Sequence, residues 1–294
     1  MSRMQVEYVL PNVSDIRQRG GLKEREELAH QFGCTYVEVP ADFIKNKTEE
    51  LKTGLAVGTP FLKESIPLLY SQNTVENGDI KYILHTEPAI PRTDRFGIRI
   101  QAVIKWHQPD WVNSLSTMLL HITQYFGIPA KVIEIHPGDQ RNTIPDIVNG
   151  IRTLCETLSR NWGDEPLILL ENRTGQVISR GSEIAELWRY ITTSAPDIVD
   201  RTGIVLDIQQ LFTVTRSQCV QHLEMIPPDC MRGFHIHTKH GIPSYSDPIP
   251  WSNVFSVMAK HPNMFLINPE VLKLNAIAPT IGFCKSMYGK ITET

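Results

Sequence analysis

Histidines and carboxylates stand directly after short apolar runs along most of this chain. They are His85, His136, Glu171 and Asp207, followed by His235 and His237 in one run. The last run ends in an amide, Asn268, and the carboxylate Glu270 stands two residues later. Imidazole nitrogens and carboxylate oxygens are the ligands that zinc, manganese and iron prefer in proteins. Because His235 and His237 are two residues apart, both would face the same side of a strand, and one could support the other rather than bind. The pattern predicts a metal site if these runs end at one place in the fold.

The apolar runs themselves predict eight strands. Each is rich in Val, Ile, Leu or aromatic residues, and they span residues 6–10, 36–39, 82–84, 132–135, 167–170, 204–206, 233–236 and 265–267. Amphipathic stretches between them predict helices over 22–32, 111–126, 144–158, 182–191 and 251–260. This alternation predicts an α/β fold, a (β/α)8 TIM barrel, as one domain over residues 1–294. The carboxyl ends of the strands would then meet at one mouth, where the polar residues converge.

An open, doubly wound sheet is the alternative architecture. Its two common phosphate-binding signatures, G-x-G-x-x-G and G-x-x-x-x-G-K-[ST], are absent from the sequence, which favours the barrel. The alternating segment RFGIRIQAVIKW predicts an extra hairpin outside the barrel, around residues 95–107. The remaining histidines fall in helix-like or irregular stretches, where we expect solvated side chains; they are His30, His107, His121, His222 and His261.

The composition is that of an ordinary globular protein. The chain has 294 residues, 41% of them hydrophobic and 21% charged, with a net charge of -3 that provides no global attraction to nucleic acid. Its five cysteines form no C-x-x-C pair, which favours a reducing compartment, and we expect a cytoplasmic protein. No apolar stretch approaches the roughly 18 residues of a membrane span.

Four segments resemble motifs of a known family. IEIHPGD, LLENRTGQ, GIVLDIQQLF and MRGFHIH occur in the order, and near the spacing, of motifs in the endonuclease IV proteins, which belong to the xylose-isomerase-like barrels. The most specific segment is ENRTGQ, beginning at Glu171, which resembles the family's E-N-T-A-G-Q. The similarity covers roughly residues 80 to 270 and marks the chain as a divergent member.

The resemblance implies a metal-dependent phosphodiesterase that uses zinc to cut DNA at abasic sites. It implies a first ion held by His85, His136 and Glu171. Glu171 would bridge to a second ion bound also by Asp207 and His235, and a carboxylate in that place reduces the repulsion between two cations. Glu171 and Asp207 would then be the catalytic carboxylates.

The chain departs from the family at the third ion. Gln210 stands where the family has a histidine, and the loop after the seventh strand retains His240 as its one obvious remnant of a D-x-H pair. At the eighth strand, Asn268 replaces a glutamate, and Glu270 would face inward only if the strand continued through Pro269. We therefore expect one or two ions, zinc or alternatively manganese, with His237, His240, Asn268, Glu270 and Gln210 as further candidate ligands.

Three functions fit these residues. The first is an endonuclease IV-like hydrolase acting on abasic or damaged DNA, with Arg173 and Lys239 on the substrate's phosphates. The second is a metal-dependent isomerase or epimerase of a small sugar-like substrate, in which Glu171 and Asp207 move a proton. The replacement at Asn268 weakens this hypothesis, because sugar epimerases of this type place a glutamate there. The third is a non-catalytic descendant that binds a partner or small ligand.

Overall fold

Eight parallel strands close into a barrel in the computed structural model, which describes residues 6–13, 22–41, 66–70, 81–86, 89–94, 97–102, 104–163 and 166–292. The barrel strands are β1 (Glu7–Leu10), β2 (Tyr36–Pro40), β3 (Lys81–Thr86), β6 (Val132–Ile135), β7 (Leu167–Glu171), β8 (Thr202–Asp207), β9 (Met231–His235) and β10 (Leu266–Asn268), and β4 (Ala89–Asp94) pairs separately with β5 (Gly97–Ala102). Each barrel strand pairs with the next along the chain, and β10 returns to β1. All eight predicted runs form these strands, which confirms the (β/α)8 barrel.

Helices connect the strands, as the amphipathic stretches predict. They are α1 (Leu22–Phe32), α2 (Ile66–Leu69), α3 (Pro109–Phe126), α4 (Ile144–Trp162), α5 (Gly181–Ser194), α6 (Ile208–Thr215), α7 (Cys219–Glu224), α8 (Trp251–Met258) and α9 (Leu274–Thr292). Helix α4 begins with a capping box in which Thr143 and Asp146 satisfy each other's backbone N–H groups, and Gly163 ends it in the left-handed conformation. The apolar helix faces and the outward strand residues share one large core.

Two layers of side chains fill the upper barrel interior. The lower layer is apolar and takes one residue from each of seven strands: Val9, Tyr36, Ile83, Val132, Leu169, Val205 and Leu266. The remaining barrel strand, β9, has Gly233 at this level, where a Cβ would lie 2.9 Å from that of Leu266. The next inward residue stands two positions later. In seven strands it is polar, and we call these residues the polar layer: Glu38, His85, Glu134, Glu171, Asp207, His235 and Asn268.

The extra hairpin lies earlier than the sequence predicts. Its strands are Ala89–Asp94 and Gly97–Ala102, so the alternating segment supplies one strand and the residues before it supply the other. Residues 95, 96 and 103 of the predicted 95–107 segment lie outside the described residues, and Trp106 is buried in the main core. Among the helices that the structure describes, none is long and apolar enough to cross a membrane.

Candidate metal centre

The first group of candidate ligand atoms belongs to His85, His136 and Glu171. Glu171 Oε2 lies 3.1 Å from His85 Nε2 and 3.0 Å from His136 Nε2. Two ligands bound tetrahedrally to zinc at about 2.0–2.1 Å are separated by roughly 3.3–3.4 Å. The His136 and Glu171 side chains are fully buried, and that of His85 is 11% exposed. The structure therefore brings these three residues together with nearly the spacing of ligands around one cation.

The second group surrounds Nδ1 of His235. Glu270 Oε2 lies 3.3 Å and Glu171 Oε1 3.9 Å from this nitrogen. Asp207, His235 and Glu270 each offer a ligand atom within 4.8 Å of the other two. Glu171 thus presents Oε2 to the first group and Oε1 to the second, which is the orientation a bridging carboxylate requires.

Glu270 reaches this group although β10 ends at Asn268, so the expectation that it needs a continuous strand is wrong. The chain turns tightly after the strand, where the Val271 N–H donates to the Pro269 carbonyl at 2.6 Å. This turn brings Glu270 towards the barrel axis. Asn268 Nδ2 donates to Glu38 Oε2 at 3.0 Å, whereas its Oδ1, the atom that could bind a cation, is buried and has no hydrogen-bond partner among the described residues. The carboxylate that is absent from the strand end is supplied by the following loop.

Two buried carboxylates of the polar layer were missed by the sequence analysis. Glu38 Oε1 accepts a hydrogen bond from His85 Nδ1 at 2.9 Å, and Glu134 Oε1 lies 2.6 Å from His235 Nε2. Both glutamates stand inside their apolar runs, in YVEVP and VIEIH, and not among the polar residues that end the runs. The period of two could have found Glu134, because it stands two residues before His136 and so faces the same side.

The buried carboxylates and histidines of the centre strongly shift one another's pKa values. Burial lowers the pKa of His85, but the carboxylates of Glu134, Glu171 and Glu38 outweigh it and hold that pKa well above its usual value. The pKa of His235 is raised in the same way, against its burial, by Glu134 and Glu171. Burial raises the pKa of Glu171, and the adjacent histidines reverse this and lower it well below its usual range. Positive charge is strongly favoured among these ionised carboxylates.

Several buried polar atoms here have no hydrogen-bond partner within the described part of the chain. They are His85 Nε2, Glu134 Oε1, Glu171 Oε1, His235 Nδ1 and Glu270 Oε2. Buried polar atoms without hydrogen bonds are costly, and these lie close together without donor–acceptor alignment. A divalent cation among them would satisfy them, and imidazole with carboxylate oxygen suits zinc or manganese. The residues present fit such an ion.

His237 is buried beside the centre, and its ring nitrogen Nε2 faces the carboxylates of the second group. The His240 backbone N–H donates to His237 Nδ1 at 3.0 Å, so the neutral ring has its proton on Nε2. That nitrogen faces Glu270 Oε2 at 3.0 Å and Asp207 Oδ2 at 3.4 Å. Burial lowers the pKa of His237, but Asp207 and Glu270 raise it to about 10. His237 therefore supports the two carboxylates rather than offering a ligand, one of the roles its spacing left open.

Other candidate residues lie at the edge of the site or outside it. Gln210 is not at the centre, because its Oε1 accepts from the Thr174 N–H at 3.2 Å and so links α6 to the loop after β7. Lys239 is exposed. Arg173 Nη1 lies 3.4 Å from His136 Nε2, at the edge of the first group. His240 stacks on His237 with ring centroids 4.6 Å apart and is half exposed at the mouth.

A pocket opens above the centre. It encloses about 160 Å³ and is lined by Asn12, Glu38, Pro40, His85, His240, Glu270, Val271 and Leu272. This is below the roughly 300–1,000 Å³ of pockets for drug-sized ligands. The lining combines carboxylates and histidines with the apolar Val271 and Leu272, which suits a small, mainly polar molecule.

Comparisons with known proteins show similarity at the level of structure. No family model matches the chain, and no curated protein matches it in sequence. A D-allulose 3-epimerase from Methylomonas sp., in complex with D-allulose, is 13% identical with a TM-score of 0.59 over 97% of this chain and 98% of its own. A D-psicose 3-epimerase from Clostridium cellulolyticum H10, with D-tagatose, is 10% identical with a TM-score of 0.57 over 96% and 99%. A 3-keto-D-glucoside 4-epimerase from E. coli is 12% identical with a TM-score of 0.57 over 96% and 100%.

The similarity to these solved structures is one of overall fold. A xylose isomerase domain protein from Alicyclobacillus acidocaldarius matches as well, at 11% identity and a TM-score of 0.57 over 98% of this chain and 99% of its own. Identities this low establish the architecture and leave the activity to the site. They give the narrower resemblance to endonuclease IV, and with it the expectation of DNA repair, no direct support.

Proposed function

We propose that this protein is a metal-dependent isomerase or epimerase of a small, sugar-like substrate. The main support is a pair of carboxylates, Glu171 and Glu270, that both approach His235 Nδ1, at 3.9 and 3.3 Å. The sequence argued against this function because Asn268 replaces the expected glutamate. Glu270 removes that objection, because it supplies a carboxylate from the same side of the barrel.

Moving a stereocentre or a carbonyl needs a group that removes a proton from carbon and a group that returns one. Burial raises the pKa of the Glu171 and Glu270 carboxyl groups, but the adjacent histidines reverse this, so the net shift of both is downward. Both therefore begin as proton acceptors. If the carboxylate that has taken a proton from a substrate carbon returns it to the neighbouring carbon, while the hydroxyl proton passes to the former carbonyl oxygen, the product is the isomer. Epimerisation requires the other carboxyl group to have first acquired a proton from water, which it then delivers to the opposite face of the same carbon.

Two sets of residues would hold the metal. His85, His136 and Glu171 form one, and Glu171, Asp207, His235 and Glu270 form the other. A divalent ion bound there supplies a Lewis acid that polarises a carbonyl or hydroxyl oxygen. Asp207 is held for this by the chain itself, since the Asn172 side chain pairs with both its backbone N–H and its carbonyl, at 2.8 and 3.2 Å.

The surroundings of the centre favour a small sugar over DNA. Glu38 and Glu270 line the pocket, and the chain has a net charge of -3, whereas DNA affinity comes largely from neutralised phosphates. Two of the similar structures are of epimerases with the sugars D-allulose and D-tagatose. The isomerase or epimerase hypothesis is therefore better supported than the endonuclease hypothesis.

Deuterium exchange tests the proposal directly. The zinc- or manganese-loaded protein is incubated in D2O with a panel of ketohexoses, and NMR follows deuterium entering a substrate C–H position and the appearance of an epimer or isomer. We expect exchange with at least one sugar, and a loss of about 10²–10⁴-fold in Glu171→Gln and in Glu270→Gln. Glu186→Gln, the same change at an exposed position of α5, should leave the rate unchanged.

Three outcomes contradict the proposal. Metal-loaded protein that exchanges no sugar proton but cuts an abasic duplex would restore the endonuclease hypothesis. Metal-loaded protein that does neither would favour a binding protein. Exchange that persists in both glutamine variants would show that other groups move the proton.

A further inference from the structure

Two glutamates of the polar layer each lie against one ring nitrogen of a candidate ligand histidine. Glu38 contacts His85 Nδ1 and Glu134 contacts His235 Nε2. We propose that Glu38 and Glu134 are positioning residues that fix which nitrogen each histidine presents to the metal: Nε2 in His85 and Nδ1 in His235. This inference rests on the proposed centre and names residues that neither the sequence motifs nor the comparisons assign.

Glu38 is itself held rigidly, which a positioning residue requires. Its Oε1 accepts from His85 Nδ1 at 2.9 Å, and its Oε2 accepts from the Asn12 backbone N–H at 3.2 Å and from Asn268 Nδ2 at 3.0 Å. The buried Arg25 donates through Nη1 to the Glu38 carbonyl at 2.9 Å. With the Nδ1 proton of His85 committed to Glu38, Nε2 is the nitrogen left for a cation, and it lies 3.1 Å from Glu171 Oε2.

Glu134 contacts the other ring nitrogen of its histidine, Nε2 of His235, whereas Glu38 contacts Nδ1 of His85. Its Oε1 lies 2.6 Å from Nε2, although the two atoms are not aligned as a hydrogen bond, and Asn268 Nδ2 lies 3.5 Å from the same nitrogen. Nδ1 of the same ring faces Glu270 and Glu171. A proton retained on Nε2 leaves Nδ1 as the nitrogen that can bind. Both glutamates are almost completely buried, so water does not compete for the ring nitrogens that they contact.

Strand geometry makes this pairing possible. Glu134 is registered directly beside His85 on the neighbouring strand, and its Oε1 lies 3.9 Å from His85 Nδ1. Glu38 and Glu134 thus flank His85 from β2 and β6, and Glu134 also reaches His235 of β9 across the barrel interior. Both glutamates stand on barrel strands rather than on loops. Carboxylates that hold the outer nitrogen of a ligand histidine orient the ring and increase its basicity, and their loss weakens metal binding by about 10–100-fold.

A purely structural role is the competing explanation, because buried carboxylates beside histidines also stabilise a fold as ion pairs. Tautomers separate the two explanations. Long-range ¹H–¹⁵N spectra of the ¹⁵N-histidine-labelled, zinc-loaded wild type report which ring nitrogen bears the proton. We expect Nδ1–H in His85 and Nε2–H in His235, and this measurement needs no variant to fold. The opposite tautomer at either ring would overturn the assignment for that glutamate.

Zinc affinity, measured by competition with a chromophoric chelator, provides the second readout. Glu38→Gln and Glu134→Gln should each bind zinc about 10–100-fold more weakly than wild type, with Glu38→Asp and Glu134→Asp recovering part of the loss. Glu186→Gln is the exposed control and should bind as wild type does. Unchanged affinity in folded glutamine variants would overturn the proposal while the proposed function stands. Wild type that binds no zinc or manganese would overturn both.

Discussion

Replacing Glu171 by Gln should abolish the stabilisation of this protein by zinc. The substitution keeps the shape of the side chain but removes the charge that both candidate ligand groups share. Glu171 Oε2 lies 3.0–3.1 Å from two imidazole nitrogens, and Oε1 faces His235 Nδ1 at 3.9 Å, so one change affects every ligand set that includes this residue. A solvated loop carboxylate would give a nearly neutral result, but Glu171 is fully buried.

The magnitude follows from preferential binding to the folded state. At a zinc concentration of 100 times Kd, the ion stabilises wild type by about 2.7 kcal/mol. A chain of this size shifts its Tm by roughly 2–3 °C per kcal/mol, so wild type should gain about 5–8 °C. If the variant binds at least about 100-fold more weakly, the same zinc concentration is no higher than its Kd. The remaining stabilisation is then about 0.4 kcal/mol, or roughly 1 °C.

Scanning calorimetry of chelator-treated protein, with and without zinc, measures both shifts. Each variant is compared with itself, because removing one partner of a buried ion pair costs about 3–5 kcal/mol even without metal. The exposed Glu186→Gln should retain the full zinc shift. A Glu171→Gln protein that retains it as well would refute the assignment of Glu171 as a shared ligand.

Three further predictions concern the mouth and the frame. Glu270→Gln should lower any sugar proton exchange about 10²–10⁴-fold by NMR, and because Glu270 contacts the buried His235 and His237 it should also destabilise the metal-free protein by up to about 3–5 kcal/mol in calorimetry. Gly181→Ala should lower the free energy of unfolding, measured in urea, by about 3 kcal/mol or more, because its Cβ would lie 1.7 Å from the His222 carbonyl oxygen. Its control, Gly282→Ala in α9, places the Cβ in open space and should raise the free energy of unfolding by about 0.5–1 kcal/mol. Burial lowers the pKa of His261 in the fold, so the unfolded chain binds the proton more readily. Stability that is present above about pH 6.5 is therefore lost as the pH falls below that value. The free energy of unfolding of His261→Gln, measured in urea, should fall less between about pH 7 and 5.5 than that of wild type.

The barrel strands could be predicted from the sequence because each of them coincides with a short, continuous apolar run. The run at 82–84 became Lys81–Thr86, and that at 204–206 became Thr202–Asp207, so the errors are a few residues at the ends. The ends differ because strand pairing extends over polar residues such as Thr202, which the apolar pattern cannot mark. His261 was expected to be solvated and is buried, because it packs against Phe234 of β9 at the close of a short helix.

The site was predicted where strand ends determine it and missed where they do not. His85, Glu171 and Asp207 end their runs, and the barrel brings such residues to one mouth by construction. Glu38 and Glu134 lie within runs, so their direction depends on which alternate residues face inward, and this is fixed by barrel closure rather than by composition. Glu270 reaches the centre through a tight turn after β10, a local geometry that the residue types alone do not specify.

The two interior layers divide stability from chemistry. The apolar layer, with residues such as Ile83 and Leu169, packs seven strands together directly beneath the polar layer. Burying a polar layer of carboxylates and imidazoles costs free energy unless each charge is matched by another or by a cation. The apolar layers beneath and outside it offset that cost, so the strand ends can present ionised groups at fixed spacing. Volume-preserving substitutions in the polar layer should therefore weaken metal binding and proton transfer as well as lowering stability by about 3–5 kcal/mol. Truncation of Ile83 or Leu169 to Ala should lower stability by about 2–5 kcal/mol while leaving the ligand residues in place.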